Sequence, residues 1–100
     1  MRVLIVAEPR FQIPPEQLGQ IIDGALQWYE RYRDRFVEFG TFPGGGGFGV
    51  LEVADEETLN QMVLEMPFSP FSKLTIHPYV RGDAGFRQFQ EAFAAMSGAR

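Results

Sequence analysis

A proline followed by four glycines, Pro43-Gly44-Gly45-Gly46-Gly47, separates two stretches of aromatic and β-branched residues that repeat with period two. Period two is the spacing at which successive side chains of an extended strand reach opposite faces. The break is too short to carry the chain across to a parallel neighbour, so residues 35–42 and 48–53 predict a β-hairpin with a glycine tip. An antiparallel pair in the middle of the chain needs other elements to cover its apolar side.

The flanking sequence supplies them. Residues 3–7 are Val-Leu-Ile-Val-Ala and end at Glu8-Pro9, which predicts a short central strand buried on both faces. Pro14-Pro15 suit the start of a helix, since a first-turn proline loses no helical hydrogen bond. Behind them Leu18, Ile21, Ile22, Ala25, Trp28, Tyr29 and Tyr32 form one apolar stripe. Asp55 is placed to cap a second helix with Glu56 and Glu57 in its first turn and Leu59, Met62, Val63 and Met66 on its apolar side. Pro67 ends it. A last strand is expected at residues 73–80, and residues 84–96 predict a C-terminal helix bearing Phe86, Phe89, Phe93 and Met96. The order β-α-β-β-α-β plus a tail helix is the α+β ferredoxin-like arrangement, one domain over residues 1–100. Two helices cover one face of its four-stranded antiparallel sheet. A second copy packed on the other face makes a dimeric α/β barrel, so a homodimer or an assembly of dimers is expected.

Composition supports association and narrows the chemistry. Ten Phe among 100 residues, 45% of them apolar, are more than a small core readily hides. A net charge of -4 and a pI near 4.9 argue against nucleic acid or an anionic membrane as partner. With no Cys and one His, thiol chemistry and a His-cluster metal site within one chain are excluded, and no cofactor is expected. The first apolar run is too short for a signal sequence or a membrane span, so a cytoplasmic protein is expected.

Symmetric pairing about the tip places Phe42 opposite Phe48, Gly40 opposite Val50 and Glu38 opposite Glu52 on the uncovered face. Val37, Phe39, Leu51 and Val53 then face the helices, as do Leu74, Ile76 and Val80. The uncovered face so read combines Glu38, Glu52, His77 and Tyr79 with Phe36, Phe42, Phe48 and Val50. That is an aromatic surface with a few titratable groups, as a small-molecule site requires. Two opposed carboxylates repel, and one can then keep a proton near neutrality for acid or base work. Solvation, or pairing with Arg33, Arg35 or Lys73, would make the same glutamates inert surface charges. His77 and Tyr79 have equally plain alternatives as a hydrogen-bonded strand residue and an interface packer.

Met66-Pro67-Phe68-Ser69-Pro70-Phe71, between an amphipathic helix and a final strand, resembles the Leu-Pro-Leu-Phe-Pro-like segment of the muconolactone isomerase family. Phe48-Gly49-Val50-Leu51-Glu52-Val53 with Asp55-Glu56-Glu57-Thr58-Leu59 is similar to that family's third strand and second helix. The likeness covers about residues 35–80. It implies a small cofactor-free isomerase that moves a proton along an unsaturated lactone and assembles as dimers or rings of dimers. Glu38 or Glu52 would then be the base, His77 or Tyr79 the proton donor, and Arg35 or Arg81 the clamp for a substrate carboxylate. The sequence departs from the family at the hairpin, where polar residues give way to Pro43 and glycines, and in the last strand, where Thr75 and His77 stand at positions usually acidic.

Three functions follow as expectations. The first is an isomerase, cyclase or cofactorless monooxygenase working on a small oxygenated molecule. The second is a non-catalytic binding or assembly module whose uncovered face is mainly a subunit interface. A haem or metal protein is the third, with His77 as its sole possible imidazole ligand.

Overall fold

The computed structural model describes residues 1–98. In chain order it contains β1 (Arg2–Pro9), α1 (Pro15–Tyr32), a short 3-10 turn at Arg33–Arg35, β2 (Phe36–Thr41) and β3 (Gly47–Glu52). Then come α2 (Glu56–Glu65), a second 3-10 turn at Ser69–Phe71, β4 (Ser72–Tyr79) and α3 (Gly82–Gly98). The strands form one antiparallel sheet in the order β2-β3-β1-β4. This is the ferredoxin-like α+β fold that the pattern predicts.

Local chemistry accounts for the helix ends. Pro15 opens α1 from Pro14, whose carbonyl accepts from the Gln17 N–H at 2.9 Å. The Asp55 carboxylate accepts from the Thr58 N–H at 2.8 Å, which fulfils the expected cap of α2 and holds the Asp55 carboxyl below the usual carboxylate range. Ser69 Oγ donates to the Val63 carbonyl at 2.7 Å and fastens the proline turn to the end of α2.

The core lies between the helices and one face of the sheet. Val3, Ile5, Leu51 and Val53 from the sheet side meet Trp28 of α1 and Leu59 and Met62 of α2. β1 is central, as expected, but only one of its faces is buried within the chain: Val3 and Ile5 are covered, whereas Leu4 and Val6 on the other side are half-buried. Among the described residues no helix is long and apolar enough to cross a membrane.

Several expectations about the sheet need correction. Glu38 lies opposite Val50, not Glu52, and Gly40 lies opposite Phe48. The cause is the turn: Phe42 and Gly46 close it, with the Phe42 N–H donating to Gly46 O and the Gly45 N–H to Phe42 O, both at 2.9 Å. The tip is therefore centred earlier than symmetry about the proline and glycines would put it. Its sharp reversal is made by Gly45 and Gly46 at φ +106° and +82°, a region that side chains avoid. A bulge between Phe36 and Glu38 then carries Phe36 to the covered face, opposite Leu51. The same bulge leaves Val37 exposed, although alternation assigned it to the helices. Val80 likewise lies beyond β4 and is exposed.

Candidate active site

A cavity of about 400 Å³ lies between the sheet and the helices, away from the uncovered face. Its floor is the covered side of the sheet, including Ile5, Ala7, Leu51 and Leu74, and its helical wall includes Ala25, Trp28, Tyr29 and Val63. Exposed Pro9, Phe11, Gly45 and Gly46 mark the end that meets solvent. Phe11, which no sequence pattern places, is thus part of the cavity rim.

The bulge at Phe36 builds this wall. Once turned inward, Phe36 meets the Trp28 ring edge-on at 5.5 Å between centroids, Tyr29 at 5.1 Å and Phe39 at 5.6 Å, while Tyr29 and Phe39 lie 4.9 Å apart. Phe36 meets Trp28 and Phe39 edge to face, and Tyr29 lies tilted against Phe36 and Phe39, so the rings interlock into one wall. Trp28 is fixed further by its indole N–H, which donates to the Met62 carbonyl at 2.9 Å.

Few polar residues line the space, and Tyr29, Thr41 and Ser72 are the ones that carry hydroxyls. The cavity lining includes no carboxylate and no imidazole. What the arrangement can do chemically is hold a flat, mainly apolar molecule between rings and bind its oxygen substituents through hydroxyls, in a setting where one hydrogen bond counts for more than in water.

The residues expected to do chemistry lie elsewhere. Glu38, Glu52, His77 and Tyr79 do share the uncovered face with Phe42, Phe48 and Val50, because the two-residue register change leaves side chains on their side of the sheet. Phe42 and Phe48 stack at 5.9 Å with 28° between their planes. Phe48 lies across Gly40, where any Cβ would collide with its ring. Yet Glu38, Glu52, His77 and Tyr79 do not line the cavity, and Val50 and Arg35 do not either. Arg35 ends the 3-10 turn before β2. Of the expected binding residues, Phe36 and Phe48 contribute to the lining.

Glu52 is engaged across the sheet. Arg2 Nε donates to its carboxylate at 2.8 Å, and the N-terminal ammonium lies 3.8 Å away. The Arg2 hydrogen bond holds the Glu52 carboxyl below its usual range and raises Arg2 in return. Glu52 is thus paired with Arg2, and Glu38 lies opposite Val50 instead of opposing it across the strands. His77 lies opposite Leu4, and Tyr79 opposite Arg2.

A second polar cluster ties α1 to α2. The Tyr32 hydroxyl donates a short hydrogen bond to Glu65, whose carboxylate also accepts from Gln61 Nε2 at 2.8 Å and Arg31 Nη1 at 3.3 Å. The Tyr32 and Gln61 bonds lower the Glu65 carboxyl, while the bond to Glu65 raises the Tyr32 phenol. Neither residue lines the cavity, so the cluster is a clasp between the two helices that close it. Among the described residues no group of three or more potential ligands is placed to hold a metal ion.

No protein-family model matches the sequence, and no curated protein matches it significantly. Solved structures do match in fold. One is the 5-chloro-2-hydroxyhydroquinone dehydrochlorinase TftG of Burkholderia phenoliruptrix AC1100, in complex with 2,5-dihydroxybenzoquinone. It superposes with a TM-score of 0.66 at 19% identity over 84% of this chain and 98% of that one. Another is muconolactone isomerase, with a TM-score of 0.72 at 14% identity over 81% of this chain and 90% of that one. The chain therefore has the muconolactone isomerase fold.

Proposed function

We propose that this chain is a small cofactor-free enzyme whose substrate, an unsaturated oxygenated ring compound, occupies the cavity between the sheet and the helices. The observation that carries this is the cavity itself: about 400 Å³, walled by Trp28, Tyr29, Phe36 and Phe39, with Tyr29, Thr41 and Ser72 as its hydroxyl-bearing lining residues. An engineered apolar cavity of about 150 Å³ already binds benzene, so this one admits a substituted ring. The fold is shared with an isomerase and with a dehydrochlorinase solved with a quinone bound, and both names describe small unsaturated oxygenated molecules.

Chemistry in such a site requires moving a proton next to a carbonyl while the enolate-like charge is stabilised. Tyr29 carries the one titratable side chain in the lining, which makes it the proton carrier in this proposal. Thr41 and Ser72 hold the substrate oxygens. The uncovered face, with Leu4, Val6, Phe42, Phe48 and Val50 around Glu38, His77 and Tyr79, is proposed as the face that meets a second copy in a homodimer.

One observation favours a second function, ligand binding without turnover: the lining has no carboxylate or imidazole to act as a strong base. Turnover of a panel of unsaturated lactones and hydroxyquinones separates the two. Tyr29→Phe is expected to lower kcat by about 100-fold or more, while Glu38→Gln, Glu52→Gln and His77→Ala leave it unchanged. Loss of turnover in the latter three alone would move the chemistry to the uncovered face. Binding with no turnover in any protein would favour the non-catalytic function.

A further inference from the structure

The floor of the cavity is bare main chain along β3. On the covered face the register sets Thr41, Gly47, Ala7 and Leu74 side by side in one row, and Phe39, Gly49 and Ile5 in the next. In both rows β3 contributes no side chain. Phe48, between the two glycines, stacks its ring on Phe42 on the uncovered face, so main chain is what it adds to the cavity lining. Neither glycine has room for a Cβ: at Gly47 it would meet the Gly40 carbonyl oxygen at 2.5 Å, and at Gly49 the Phe36 ring at 2.9 Å. The flat floor is therefore fixed by the hairpin. Ala7 beside it on β1 and Ala25 on α1 each add one methyl group to the lining.

Length and volume exceed what a single ring fills. The lining follows β1 from Ile5 to Pro9 and β3 from Leu51 to Gly47, and four steps of strand are about 13 Å. The cavity volume of about 400 Å³ is more than twice the ~150 Å³ that encloses benzene. One ring would leave the remainder to voids, whose walls lose their contacts, or to water. Water needs several polar partners at one point, whereas Thr41 and Ser72 stand on opposite edge strands.

The chemistry of the lining restricts what else fills the length. Among the described residues it includes no charged side chain, so it offers nothing to a carboxylate or phosphate carried on a single ring. Two rings joined by one bond twist out of a common plane and do not match a flat floor. Fused rings stay in one plane and present only apolar faces and edge oxygens.

We propose that the substrate is a neutral, flat system of two or three fused six-membered rings bearing hydroxyl or keto oxygens, lying along Gly47–Gly49 with Ala7 beneath its outer ring. This rests on the cavity being the substrate site, as proposed above, and narrows the class of ring that enters it.

Isothermal titration calorimetry of the full chain compares 1,4-dihydroxybenzene with 1,5-dihydroxynaphthalene, which carry two hydroxyls on one ring and on two. A third ligand is 2,2′-dihydroxybiphenyl, whose rings do not share a plane. Wild type is expected to bind the naphthalene at least about tenfold more tightly than the benzene, and the biphenyl more weakly than the naphthalene. Hydrophobicity alone would give the first of these results, so Ala7→Leu is measured beside wild type. Its added side chain occupies the outer half of the slot and is expected to cut the preference for the naphthalene to about threefold or less. Near-ultraviolet circular dichroism of the aromatic wall reports whether the variant keeps its fold, and Ala7→Val is read in the same way if it does not. No saturable binding of any of the three ligands would overturn the cavity as the substrate site and the fused-ring class with it. Saturable binding of the benzene with the naphthalene no tighter would overturn the fused-ring class alone. So would a biphenyl bound as tightly as the naphthalene, or a preference that the folded Ala7 variant leaves intact.

Discussion

The indole N–H of Trp28 donates to the backbone carbonyl of Met62 at 2.9 Å, so the buried ring that walls the cavity is also the bolt between α1 and α2. Trp28→Phe removes this buried donor from the Met62 carbonyl. It is expected to destabilise the fold by about 1–3 kcal/mol, read by urea unfolding followed with circular dichroism. An unchanged midpoint would mean that the seam does not depend on this bond.

The hairpin tip distinguishes glycines that its geometry requires from one that it does not. At Gly46, φ is +82° and a Cβ would collide with the Ala7 carbonyl oxygen, whereas at Gly44 nothing lies within 4 Å. Gly46→Ala is therefore expected to cost about 1–3 kcal/mol and Gly44→Ala less than about 0.5 kcal/mol. Thermal denaturation of the two variants side by side checks the difference, and equal shifts would contradict the turn described above.

The clasp between Tyr32 and Glu65 predicts a pH dependence of defined sign. Glu65 is lowered from its ordinary value of 4.5, as Glu52 is, so its stabilising contribution is present above that value and is lost as pH falls through the lowered one. Tyr32 is raised from 10.0, so its contribution is present below that value and is lost as pH rises through the raised one. Glu65→Gln is expected to flatten the acid side of the stability curve, and Tyr32→Phe the alkaline side. Curves parallel to wild type across both limits would contradict the clasp.

Much of the fold is legible in the sequence because period and punctuation agree at each step. Asp55 before Glu56 and Glu57, Pro67 after Met66, and the apolar run of β1 each mark an element by local chemistry. The hairpin register is not legible to the same degree, since four consecutive glycines offer several tips and only hydrogen bonding between Phe42 and Gly46 selects one. Nor does alternation signal the bulge that turns Phe36 inward, because an extra residue in one strand leaves the pattern on either side intact. The cavity escapes for a related reason: Tyr29, Thr41 and Ser72 come from three separate elements and meet only in space. In the sequence Tyr29 is only one of seven residues on the apolar stripe of α1. The uncovered face drew attention instead because it gathers the titratable residues.

That a small oxygenated ring binds between the sheet and the helices is tested most directly by titrating 1,4-dihydroxybenzene against the emission of Trp28, the chain's single tryptophan. Ala25 lines the cavity, so Ala25→Leu fills part of it without adding charge. The account predicts a saturable change in Trp28 emission for wild type and for Glu38→Gln, and affinity at least about tenfold weaker in Ala25→Leu. Saturable binding that Ala25→Leu leaves intact and Glu38→Gln abolishes would contradict it and place the ligand on the uncovered face.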